Sequence, residues 1–252
     1  DTSLPVTDEE GFSIAASIST PGERTLIPPD VATCDECLAD MADPGNRRYQ
    51  YPFTTCTNCG PRLSIIEDLP YDRPNTTMRI FPMCPACETE YTTPTDRRFH
   101  AQPISCPDCG PQLSMSIAAA RALIDAGRIL AVKGIGGFHL MCDATNEDAV
   151  AELRRRKTRP DKPFAVMVPD LDWARRLVTL APEEEELLTS PARPIVIASA
   201  RVELPGIAPG LGDIGVLLPY TPLHSLLVDR PVVATSGNAA GEPLCFTNDD
   251  AV

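Results

Sequence analysis

The chain has 252 residues, 43% of them apolar, and a net charge of −13. That length leaves room for one or two domains with a core in at least part of the chain. The acidic excess is uneven, −9 over residues 1–109 and −4 over 110–252. It argues against the basic face of a nucleic-acid module, and no apolar run approaches the length of a membrane span.

Residues 26–113 are rich in Pro, Asp, Arg and Thr and hold eight of the ten cysteines. These form four Cys-x2-Cys pairs, Cys34/Cys37, Cys56/Cys59, Cys84/Cys87 and Cys106/Cys109, with 18, 24 and 18 residues between them. One such knuckle sets two thiolates on one ion, and two knuckles complete the tetrahedral shell that zinc accepts. Eight sulfurs therefore predict two Zn2+ ions. The pairs lie in a repeat of period 50: Arg47-Arg48-Tyr49 matches Arg97-Arg98-Phe99, and the Gly-Pro-x-Leu-Ser after Cys59 recurs after Cys109. Duplication with preserved spacing favours one ion per repeat, within 26–65 and 76–113, although outer and inner knuckles can also cross. His100 is the alternative ligand, but its repeat partner is Gln50.

Four thiolates leave no open position for water or substrate, so these ions are expected to be structural. Their binding would supply folding free energy that a segment without long apolar runs lacks. Regular Cys-x2-Cys doublets are unlike the disulfide frameworks of small extracellular domains, and reduced thiols imply the cytoplasm. Because this half is acidic, the fingers read as scaffold or protein-contact elements rather than nucleic-acid readers.

From residue 114 the pattern alternates between helix and strand. Ser116 caps a predicted helix over 117–126 with Gly127 at its end, followed by a short strand over 129–132. Thr145 and Asp148 resemble a capping box for a helix that ends at Arg159-Pro160. Further strands are expected at 164–168, 195–198, 216–218 and 232–234, with helices at 171–181, 182–188 and 222–228. The mixture predicts an α/β domain over 114–252.

Three constellations in this domain look chemical, each against a plainer reading as a glycine turn, a solvated helix face or a polar turn. Lys133-Gly-Ile-Gly-Gly-Phe-His-Leu is a strand running into a glycine turn whose amides could meet an anion, though its spacing is neither a P-loop nor a dinucleotide fingerprint. Residues 154–162 place six cations in nine positions, running past a helix end into a loop stiffened by proline, which suits a polyphosphate. Thr235-Ser236-Gly237-Asn238 follows an apolar strand, where ligands bind in open α/β sheets. A rival reading makes Ser236 a hydrolase nucleophile with His139 or His224 as base, but no Gly-x-Ser-x-Gly elbow surrounds it. Cys142 and Cys245 read as small buried hydrophobes.

Together, the four cysteine pairs, the Lys133-Gly-Ile-Gly-Gly-Phe-His-Leu segment, Lys157-x-Arg159 and Ser236-Gly-Asn238 resemble the HypF carbamoyltransferases of nickel–iron hydrogenase maturation. The resemblance runs from about residue 26 to the end. It implies tandem zinc fingers followed by a twisted, mixed α/β YrdC-like domain that stops short of that domain's last stretch, with residues 1–25 as a linker or the tail of an acylphosphatase-like domain.

In that family carbamoyl phosphate supplies carbamate, and the YrdC-like domain joins it to ATP, with Mg2+, as carbamoyl-adenylate. A further domain passes the carbamoyl group to the C-terminal cysteine of HypE, a precursor of the cyanide ligands of the nickel–iron site. The resemblance makes Lys157 and Arg159 candidates for the triphosphate, Lys133 for a further phosphate or the carbamoyl carboxylate, and Ser236 and Asn238 for the adenylate. Two other readings stand beside it: a YrdC-type protein that binds RNA, double-stranded RNA included, or makes threonylcarbamoyl-adenylate, and a zinc scaffold without catalysis.

Overall fold

In each cysteine module the first knuckle opens a short helix, because its two cysteines must turn their sulfurs to one point. Helix α1 (Asp35–Ala42) follows Cys34 and α2 (Pro85–Thr92) follows Cys84. The computed structural model describes residues 27–238 and 241–249. The fifty-residue period survives in the backbone: Gln50 donates to the Met41 carbonyl and His100 to that of Tyr91, both at 3.0 Å and both with φ of 53°. The apolar clusters of the modules are built on the cysteines, joined by Ala101 and Ile104 in the second, with Met41, Tyr51 and Met78 also buried. Arg73, in the connection between modules, is buried and has no carboxylate partner among the described residues. It donates instead to the carbonyls of Gln102 (2.6 Å), Ile104 (2.8 Å) and Phe81 (2.7 Å), which satisfies the guanidinium and fastens the connection to the second module.

The remainder is a six-stranded mixed sheet: β1 (Leu130–Lys133), β2 (Phe138–Asp143), β3 (Ala165–Met167), β4 (Val196–Ser199), β5 (Asp213–Leu217) and β6 (Val232–Ser236), in the order β1-β2-β6-β3-β5-β4. Only β3 and β5 pair in parallel. One face is covered by α3 (Ile117–Asp125) and α7 (Pro222–Leu227), which pack Ile124, Leu223 and Leu227 against Val132, Met141 and Met167. The other is covered by α4 (Glu147–Lys157), α5 (Leu171–Leu177) and α6 (Pro182–Thr189), with Val150, Leu153, Ala174 and Leu188 against Val166, Val216 and Val233. Central strands buried on both faces read as unbroken apolar runs, which is why 232–234 was legible as a strand. The edge strand β4 keeps Ile197 70% exposed. Module and sheet meet where the Ala32 amide donates to the Pro191 carbonyl at 2.8 Å.

Several local expectations are corrected. Strand β2 is absent from the predicted elements; it emerges directly from the glycine turn, and two polar residues, His139 and Asp143, interrupt its apolar pattern. Helix α4 is capped by Asn146, whose side chain accepts from Ala149, whereas Thr145 is held by Asp143. It ends at Lys157 because Thr158 adopts the left-handed conformation, φ 49°, two residues before the predicted stop. Helix α5 stops at Leu177, since Val178 turns extended and bridges Ala200.

Candidate metal and nucleotide sites

The eight finger cysteines gather into two groups, Cys34, Cys37, Cys56, Cys59 and Cys84, Cys87, Cys106, Cys109, with all sulfurs of a group within 4.8 Å of one another. The grouping follows the repeat and is not crossed. Zn–S bonds of 2.3 Å in a tetrahedron require sulfurs about 3.8 Å apart. The separations observed are 3.5 Å for Cys34–Cys56, 4.0 Å for Cys56–Cys59, 3.7 Å for Cys84–Cys106 and 3.6 Å for Cys87–Cys109. The donor set and its spacing therefore fit zinc. His100 belongs to neither group and packs its ring between Tyr91 and Phe99. Within the second group the thiols are pulled apart: burial raises Cys84, but the Cys87 amide and the Arg47 guanidinium bring it down to about 6, whereas burial pushes Cys87 and Cys106 up.

The second constellation forms at one end of the sheet. Antiparallel pairing brings Lys133 opposite Phe138 and His139 opposite Ser236, so that the ends of β1, β2 and β6 lie side by side. At roughly 5 Å per strand, Lys133 stands about 10 Å across the sheet from Gly237. The Ser236 hydroxyl donates to Asn238 Oδ1 at 2.6 Å, and Asn238 Nδ2 donates to the Glu242 carbonyl at 2.6 Å, closing the turn on itself. Lys157 enters from the last turn of α4: its Nζ donates to the Ser236 carbonyl, to the Asn238 carbonyl at 3.0 Å and to Asn238 Oδ1 at 3.5 Å. Burial and the nearby Arg159 charge lower the Lys157 pKa. Lys157, Ser236 and Asn238 are thus one unit, although 79 residues separate the first two.

The other candidates lie around this unit. Arg159 is near enough to act on Lys157, but its Nε and Nη2 donate to the carbonyls of Lys162 and Pro163, and its guanidinium lies 5.1 Å from the Phe164 ring centre. Lys133 sits 5.3 Å from the Phe138 ring centre and donates to Asn248 at 3.3 Å. Within the glycine segment, the Gly134 amide bonds Gly137 and the Phe138 amide bonds Cys245, so these two donors serve the protein rather than an anion.

The cationic run divides by contact. Arg155 and Arg156 both pair with Glu152 on the exposed helix face. Arg154, not singled out from the sequence, donates to the carbonyls of Gly206, Ile207, Arg159, Pro160 and Lys162, and so builds the loop that presents Arg159. Its position in the last turn before a proline-rich loop is the signal that could have marked it.

The hydrolase reading loses its geometry. The Ser236 hydroxyl points to Asn238, the His139 ring nitrogen Nε2 lies 3.2 Å from the Tyr220 hydroxyl, and His224 is fully buried with neither ring nitrogen hydrogen-bonded among the described residues. Cys142 is buried, as expected, whereas Cys245 is only half-buried.

Comparison with known proteins places both regions. The HypF finger profile matches residues 33–66 and 83–116, and the Sua5/YciO/YrdC profile, described as "Telomere recombination", matches 122–252. Carbamoyltransferase HypF of Rhodobacter capsulatus is 54% identical over 96% of this chain and 34% of its own length. A solved structure of full-length HypF in a phosphate- and nucleotide-bound form superposes with a TM-score of 0.87 at 48% identity, covering 92% of this chain and 32% of that one. Threonylcarbamoyl-AMP synthase of Bacillus subtilis is 29% identical over half of this chain and 39% of its own length. The chain spans about a third of the length of the HypF relatives it matches. Two finger matches and a YrdC-type match in one chain, half-identical to HypF throughout, mean that the chain belongs to the HypF carbamoyltransferase family.

Proposed function

We propose that residues 114–252 bind ATP with Mg2+ and activate a carbamoyl group, derived from carbamoyl phosphate, as carbamoyl-adenylate, and that residues 26–113 form two structural zinc modules beside this site. The observation that carries the reading is the Lys157–Ser236–Asn238 unit: a part-buried ammonium held at a polar turn, with Arg159 beside it, where the ends of β1, β2 and β6 lie side by side. The similar HypF structure solved with phosphate and nucleotide supports it.

In this reaction a carbamate oxygen attacks the α-phosphorus of ATP. The new P–O bond forms as the bond to pyrophosphate breaks, and negative charge grows on the leaving group. Catalysis is then mostly positioning and charge neutralisation. Lys157 and Arg159 neutralise the triphosphate. Lys133, across the sheet end, meets a further phosphate or the carbamoyl carboxylate, and the Ser236 hydroxyl and Asn238 orient the adenylate. The zinc ions, each closed by four thiolates, take no part in the chemistry.

Transfer of the activated group to the C-terminal cysteine of a HypE-type protein would follow elsewhere in the full-length relatives. Reduced cysteines in both modules support a cytoplasmic setting, and no helix among the described residues is long and apolar enough to cross a membrane.

Calorimetric titration of the zinc-replete chain with ATP and Mg2+, followed by carbamoyl phosphate, tests the reading. Saturable ATP binding supports it; no binding with two zinc ions in place favours a scaffold. The likeness to threonylcarbamoyl-AMP synthase motivates a second arm with L-threonine. Threonine that binds beside ATP would shift the assignment to threonylcarbamoyl-adenylate chemistry.

A further inference from the structure

The repeat that provides each module with four cysteines also exchanges arginines between them. Arg47 belongs to the first module but reaches the second: its Nη2 donates to the sulfurs of Cys106 at 3.0 Å, Cys84 at 3.3 Å and Cys87 at 3.5 Å, and its Nη1 to Glu90 at 3.2 Å. Arg97, fifty residues later, points back, donating through Nη1 to Cys37 at 3.0 Å and through Nη2 to Asp40. The neighbouring arginines brace the exchange. Arg48, 1% exposed, donates to the Ser105 carbonyl at 2.8 Å and grips both Glu90 oxygens. Arg98 donates to the Thr55 carbonyl at 3.1 Å and to Asp40. Asp40 and Glu90 hold equivalent places on α1 and α2. Each module thus supplies one carboxylate and receives two guanidinium groups.

We infer that the two zinc sites are coupled in trans. Arg47 positions and neutralises the thiolates of the second site and Arg97 those of the first, so that zinc in one module raises the affinity of the other. This rests on reading the two cysteine groups as zinc sites. Four thiolates around one dication leave a net charge of about −2. A guanidinium 3.0–3.5 Å from the sulfurs offsets that charge with charge-assisted hydrogen bonds. Where the guanidinium sits is decided by the other module. Arg47 lies between Cys37 and Cys56, in a segment closed at both ends by its own module's metal, and Arg97 lies likewise between Cys87 and Cys106. A module without zinc does not hold its arginine in place. Linkage then requires the coupling to be equal in both directions.

The test measures zinc affinity module by module on the whole 252-residue chain, by titrating zinc against a chelator and reading cysteine alkylation peptide by peptide in a mass spectrometer. Arg47→Gln is expected to lower affinity at Cys84, Cys87, Cys106 and Cys109 by ~10–100-fold, with a smaller change in its own module, and Arg97→Gln to do the reverse. Arg47→Lys, which keeps the charge, should recover part of the loss. Emptying the first module with Cys34→Ser and Cys37→Ser should weaken the second by the same factor as Cys84→Ser and Cys87→Ser weaken the first. The coupling is overturned by a loss confined to the module that houses the substituted arginine, by equal losses in both modules without recovery in Arg47→Lys, or by unchanged affinities with two zinc ions bound. A wild-type chain that binds no zinc would remove the zinc reading itself, and the coupling with it.

Discussion

Lys157→Met keeps the aliphatic stem of the side chain and deletes the ammonium that joins α4 to the turn after β6. In the structure that group donates to the carbonyls of Ser236 and Asn238 and lies 3.5 Å from Asn238 Oδ1, with the residue 8% exposed. Hydrogen bonds to a charged group contribute about 1.5–3 kcal/mol each. Ser236 is exposed, so water can replace part of what is lost, and relief of the buried charge offsets a further part. A net destabilisation of about 2 kcal/mol is expected, read as a lower urea midpoint at unchanged slope. The effect on nucleotide should be larger. An ammonium about 4 Å from a phosphate oxygen near a protein surface interacts with about 4 kcal/mol. After the competing carbonyls are allowed for, MgATP affinity should fall by roughly 30–100-fold, a loss of about 2–3 kcal/mol. Calorimetry of the zinc-replete variant reads this directly. Lost stability with wild-type ATP affinity would make Lys157 a brace and remove it from the nucleotide site; neither effect would refute the geometry.

Other residues lead to separate tests. A Cβ on Gly237 would lie 2.8 Å from the Phe138 carbonyl oxygen, which the Gly237 amide already bonds; Gly237→Ala should cost about 1–3 kcal/mol and weaken ATP binding by shifting Ser236 and Asn238. Burial and, secondarily, the nearby His139 push His224 from 6.5 down to about 3. The unfolded chain therefore binds a proton that the folded chain refuses between those values, so this contribution is complete above pH 6.5 and is lost as pH falls toward 3, by up to about 5 kcal/mol. His224→Leu should flatten the fall of stability between pH 6.5 and 4 relative to wild type; superimposable pH profiles would contradict the burial argument. Removal of zinc by a strong chelator should abolish amide-exchange protection across residues 27–113 while β2, β3 and β6 stay protected, because the modules' apolar clusters are built on the cysteines themselves whereas the sheet has two apolar faces of its own. Loss of protection in the sheet as well would show that it depends on the modules.

Features that repeat locally were legible in the sequence. The knuckle spacing and the fifty-residue period identified both cysteine groups, because thiolate geometry is specified within a few residues and duplication preserves it. Ser116 and Gly127 bounded α3 through capping chemistry, which is equally local. β2 was not legible: it pairs on both sides, with β1 and β6, and the sheet accepts His139 and Asp143 at positions that a periodicity argument rejects. The length of α5 was decided by Val178 bridging Ala200, a contact no local pattern announces.

At the candidate nucleotide site the sequence supplied the residue types and the fold supplied their roles. Six cations in nine positions look alike in the chain, but only the helix direction and the strand order turn Lys157 onto the Ser236–Asn238 turn, send Arg155 and Arg156 to Glu152, and spend Arg154 on the loop. The same holds in the fingers. Their composition determined that each repeat carries four ligands, two arginines and an acid; only the tertiary structure decided that the arginines serve the opposite module, because that exchange depends on how two already folded units face each other.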